Sequence, residues 1–178
     1  MIMRALCLFA LLGFSSCDKE PLYIRLGDKM AGKFSVKMTQ EYGVERSGYG
    51  GAMREDLKLF NFTFTSYKKM GVDEARILYV SLVEEFLQAA NNDESVRPYL
   101  HNYPFTRDNL CMMLNFRDPK NFRRICQPDL SLVIIGSGNI IYFSWDASET
   151  HCIEVLREPY FEAYEKVYGK PYVPPQEL

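Results

Sequence analysis

The chain is poor in residues that advertise a chemistry. Its 178 residues hold two histidines and one tryptophan, with no Cys-x-x-Cys, no His-Glu-x-x-His and no Gly-x-Ser-x-Gly. The usual zinc spacings, the zincin peptidases and the serine-hydrolase elbow therefore have no motif to rest on. Neither sign of charge dominates, since 21 Lys and Arg face 23 Asp and Glu, which excludes a basic nucleic-acid arm and an acidic disordered tail. No apolar run reaches the roughly 20 residues of a membrane-spanning helix. The glycines form no nucleotide loop: Ile141 stands where a Gly136-x-Gly138 dinucleotide fingerprint needs its third glycine, and Gly48-Tyr49-Gly50-Gly51 lacks the Gly-Lys-Ser/Thr ending of a P-loop. No metal or other cofactor is expected.

What is present starts at the N-terminus. Met1 to Arg4 form a short basic start, Ala5 to Gly13 carry no charge, and Phe14-Ser15-Ser16-Cys17 precedes the charged Asp18-Lys19-Glu20. That is the layout of a removable export signal. The segment resembles the lipobox of bacterial membrane lipoproteins, with Phe14 in place of the more usual leucine. The resemblance implies cleavage before Cys17, a diacylglycerol on its sulfur and an acyl chain such as palmitate on its amino group. Two or three chains anchor stably where one does not. The expectation is a signal peptide over residues 1–16, a lipid-attached tether over 17–25, one domain over 26–170 and an extended tail over 171–178. Loss of Arg4 with the signal takes the formal net charge from −2 to −3. Localisation in the cell envelope, attached to the membrane by lipid, follows from this reading, and nucleic acid is not an expected partner.

With Cys7 in the signal and Cys17 at the anchor, Cys111, Cys126 and Cys152 remain. An odd number permits at most one internal disulfide in an oxidising compartment, and buried free thiols are the expectation.

Along the mature chain, Leu26, Met30, Phe34, Met38 and Tyr42 recur every four residues and predict a helix, although Phe34/Val36/Met38 also alternate as in a strand. Gly43 closes it, and Ser47 to Gly51 reads as a turn. Leu57 to Tyr67 predicts a strand with Phe60, Phe62 and Phe64 inward. From Asp73, the positions Ala75, Leu78, Tyr79, Leu82, Phe86 and Ala89 share a helical face. Two prolines make Arg97 to Thr106 an aromatic loop. Leu110 to Phe116 predicts a strand covered on both faces, and the basic loop of Arg117, Lys120, Arg123 and Arg124 follows. Leu130 to Ile135 and Ile140 to Trp145 predict a hairpin, His151 to Leu156 a further strand, and Pro159 to Tyr168 a terminal helix. The order predicts an α+β domain: an antiparallel sheet of four or five strands with about three helices on one face.

The candidate surface is the aromatic loop, where Tyr99, His101, Asn102, Tyr103 and Phe105 combine rings with hydrogen-bonding tips, together with Tyr49 in the glycine-rich turn. The stretches Asp73 to Arg76, Val83 to Leu87 and Arg97 to Thr106 resemble a family of small uncharacterised bacterial proteins, which implies a shared fold and no activity. The sequence reading is a lipid-anchored binding or assembly module with an envelope protein as possible partner. The alternatives are an envelope hydrolase or thiol enzyme using His101 or His151, and a structural lipoprotein. His151 and Cys152 adjoin in a strand, so their side chains point to opposite faces and make no nucleophile-base pair.

Overall fold

The structure, a computed structural model, describes residues 20–174. The signal peptide, Cys17 and the last four residues lie outside the described residues. Helix α1 (Leu22–Tyr42) buries Met30, Phe34 and Met38 and leaves Val36 56% exposed. The four-residue period therefore prevails over the short alternation: a strand would place Val36 on the same face as Phe34 and Met38, whereas a helix turns it away to solvent.

Strands β1 (Val44–Ala52) and β2 (Leu59–Ser66) precede helix α2 (Val72–Asn92), and strands β3 (Leu110–Phe116), β4 (Leu132–Gly136), β5 (Asn139–Trp145) and β6 (Cys152–Pro159) lead to helix α3 (Tyr160–Tyr168). The six strands lie side by side in sequence order. Every neighbouring pair is antiparallel except β2 and β3. The exception follows from the connection: α2 returns the chain to the start of β2, so β3 must run the same way, as a crossover helix requires. Between β4 and β5 the hairpin turns through Ser137 and Gly138, both at positive φ (49° and 78°), the twist that a two-residue turn needs.

All three helices supply the core on one sheet face. Its centre is a ring cluster in which Phe34 meets Phe62, Phe64 and Phe86 at 5.3–5.9 Å, and Phe60 meets Phe86 and Phe105 at 5.2 and 6.0 Å. Phe60, Phe62 and Phe64 are fully buried, as their alternation predicts.

Three expectations are corrected. The sheet has six strands, one pair of them parallel, where four or five antiparallel strands were expected. The extra strand is β1, which contains the glycine-rich segment expected to turn. Edge pairing to β2 and the contact of the Tyr49 ring with Phe62 at 5.3 Å outweigh the weak strand preference of glycine. The outer face of β3 is open, so Cys111 and Met113 are exposed where a covered strand was expected.

Candidate functional site

The aromatic loop divides into an anchored and an open part. Phe105 is fully buried against Phe60 and presents nothing to solvent. Its backbone is held by Asn91, which accepts from the Phe105 amide at 2.7 Å and donates to its carbonyl at 3.0 Å. Tyr99 is half-buried beside Tyr23, with ring centroids 6.2 Å apart. Tyr103 lies under the Arg97 guanidinium at 5.2 Å. Tyr49 turns inward, its hydroxyl donating to Asp28 at 2.8 Å, and burial together with that bond pushes its phenol well above the ordinary value. Of the six residues singled out from the sequence, His101 and Asn102 are the exposed ones.

His101 is not solitary. Its Nδ1 lies 2.6 Å from Oδ2 of Asp56, in the segment between β1 and β2. A carboxylate only accepts, so Nδ1 carries the proton and, in the neutral ring, Nε2 keeps its lone pair for another partner. The loop is registered by main-chain bonds on both sides of Leu57: its amide donates to Tyr99 O at 2.8 Å, and the His101 amide donates to Leu57 O at 3.0 Å. Two neighbouring clefts share Ala52, Lys58 and His101. One, of about 500 Å³, continues to Asn102, Asp108 and Asn109, and the other, of about 270 Å³, continues to Arg54, Glu55 and Asp56. Asn109 is a rigid wall of the larger cleft, because its side chain donates to Lys58 O at 3.1 Å and accepts from the Thr106 amide at 3.0 Å. Asp56 and Lys58 have no motif around them and are brought to His101 only by the pairing of distant segments.

His151 stands apart in the loop between β5 and β6. There the Asp146 carboxylate accepts from the Ser148 hydroxyl and from the Thr150 and His151 amides. Those donors hold the half-buried carboxyl far below its ordinary value. This is a loop-shaping arrangement. Cys111, Cys126 and Cys152 are free thiols. Contrary to the expectation of burial, Cys111 and Cys152 are exposed, because one lies on the open sheet face and the other on the edge strand β6. Neither imidazole has a cysteine among its hydrogen-bond partners in the described residues, and those residues contain no group of three or more His, Cys, Asp or Glu side chains arranged to hold a metal.

The fold and cleft thus define an α+β domain with a polar site at one end of its sheet. Comparison of the chain with protein-family models, curated proteins and solved structures finds no match.

Proposed function

We propose that this is a lipid-anchored bacterial envelope protein that binds a polar ligand or partner segment at the cleft around His101. The observation carrying the reading is the Asp56–His101 pair at the junction of two clefts, beside Lys58, in a loop whose other rings are packed away. A fixed imidazole, an ammonium and two side-chain amides supply donors and acceptors within one concavity, which is how polar ligands are oriented. The cleft is also at the end where α1 begins, since the Tyr23 hydroxyl donates to Arg54 O at 2.7 Å. Four residues separate Cys17 from Leu22, so the two are at most about 18 Å apart along the chain. An acylated Cys17 would keep the cleft close to the membrane surface.

The test is photo-crosslinking from a photoreactive residue at position 102 in membranes carrying the full chain. A discrete adduct that disappears in His101→Ala and in the unanchored Cys17→Ser protein is the expected result. Absence of any adduct in the wild-type background overturns the reading. The free Nε2 of His101 favours a hydrolase as the second reading, with His101 activating water. Its distinguishing result is turnover of a captured ligand that stops in Asp56→Asn while capture persists.

A further inference from the structure

The loop from Arg117 to Arg124 is a miniature hairpin at the opposite end of the molecule from the cleft. Arg117 and Arg124 form an antiparallel bridge, the Asp118 amide donates to Arg123 O, and the Phe122 amide donates to Asp118 O, both at 2.9 Å. Asp118 also accepts from the Lys120 amide at 2.8 Å, so the one carboxylate of the loop is engaged in shaping it. Phe122 sits at its tip, 66% exposed and at φ +59°. Both features oppose stability, because a bulky side chain disfavours the left-handed region and an exposed ring forgoes burial. Among the described residues its one ring contact is an edge-on meeting with Tyr67 at 5.6 Å. Lys68 and Lys69 follow Tyr67, and both are exposed, as are Lys120, Arg123 and Arg124. Among the described residues no carboxylate lies within salt-bridge distance of these five cations or of Arg117.

We infer that this hairpin docks on an anionic lipid surface, with Phe122 entering the headgroup boundary and the surrounding Lys and Arg side chains meeting lipid phosphates. Charge complementarity selects the occupant: a local cluster of cations without salt-bridge partners, on a chain of net charge −2, suits an anionic lipid plane. An aromatic ring at the centre of such a cluster is what an interfacial contact uses. The hairpin and the start of α1 lie at opposite ends of a 21-residue helix, about 30 Å apart. Docking here together with an acylated Cys17 lays α1 along the membrane and holds the His101 cleft beside it.

The sole tryptophan reports on this contact. Trp145 carries the Arg124 guanidinium 4.2 Å above its ring, so quenching by brominated lipid reads the hairpin rather than the N-terminus. The full chain is mixed with brominated vesicles of phosphatidylcholine, with and without phosphatidylglycerol. The expected result is quenching by the anionic vesicles alone, abolished by 0.5 M salt. Lys120→Glu/Arg123→Glu should weaken the apparent affinity about twenty-fold or more, from roughly five-fold for each cation lost. Phe122→Asn, which suits the left-handed backbone while removing the ring, should lose most of the quenching. No quenching of the wild type, equal quenching by neutral vesicles, or variants that behave as wild type would each overturn the inference.

Discussion

Arg76 of α2 and Glu158 of β6, 82 residues apart, meet at 2.6 Å between Nε and Oε1. Glu158 is almost fully enclosed, and its carboxylate also accepts from the Tyr142 hydroxyl and from Lys166 Nζ, each at 2.7 Å. The network ties the crossover helix to the far edge of the sheet and to α3. A buried ion whose partner is removed keeps its desolvation cost. Arg76→Ala should therefore lower the unfolding free energy by about 3–5 kcal/mol, measured by urea titration at pH 7.

The same carboxylate makes stability depend on pH. Burial pushes Glu158 up, and the bonds from Arg76, Lys166 and Tyr142 outweigh it, leaving the group below its ordinary value of 4.5. A folded-state value below the unfolded one contributes stability that is present above pH 4.5 and lost as pH falls through the folded value. The difference in urea midpoint between wild type and Glu158→Gln should be constant near neutrality and shrink in acid below pH 4.5. A difference that grows in acid would contradict this assignment.

Phe105 and His101 belong to one loop and should respond oppositely to truncation. Phe105→Ala opens a hole beside Phe60 and should cost about 3–5 kcal/mol. His101→Ala removes an exposed ring and should stay within about 0.5 kcal/mol. Paired denaturation curves check both, and equal losses would mean that the Asp56 contact holds the loop in the fold.

Gly51 and Gly50 provide a second contrast. A Cβ on Gly51 would lie 2.1 Å from Leu59 O, a backbone atom of the paired strand, whereas one on Gly50 would meet nothing within 4 Å. Gly51→Ala should destabilise by about 1–3 kcal/mol through forced displacement of β1, and Gly50→Ala should be close to neutral in the same thermal-melt comparison.

The thiols can be ranked by access. Native alkylation followed by peptide mass analysis should modify Cys111 and Cys152, which are exposed, before the half-buried Cys126. Uniform modification of all three would show that the segment around Cys126 opens readily.

Much of the fold was legible because its signals are local. The four-residue spacing of Met30, Phe34 and Met38, the alternation of Phe60, Phe62 and Phe64, and the glycine-bearing connection at 136–139 each report on neighbours a few positions away. The strand at Val44–Ala52 was not legible, because its pairing comes from β2 and glycine carries little pattern of its own. The parallel β2–β3 pair was hidden for a related reason: the direction of a strand is set by its connection and leaves no trace in its alternation. At the candidate site the sequence pointed to the loop by composition. Burial then separated Phe105 and Tyr49, which face the interior, from His101 and Asn102, which face solvent.

The sequence by itself determined the α+β class, the three helices, the inward face of β2 and the expectation of an export signal cut before Cys17, since each depends on periodicity or on the order of adjacent residues. Only the tertiary structure decided that Asp56 and Lys58 share a cleft with His101, that Arg76 pairs with Glu158, and that the exposed Phe122 meets Tyr67. These are meetings between segments tens of residues apart, and they exist only once burial of the phenylalanine core has fixed how the strands lie side by side.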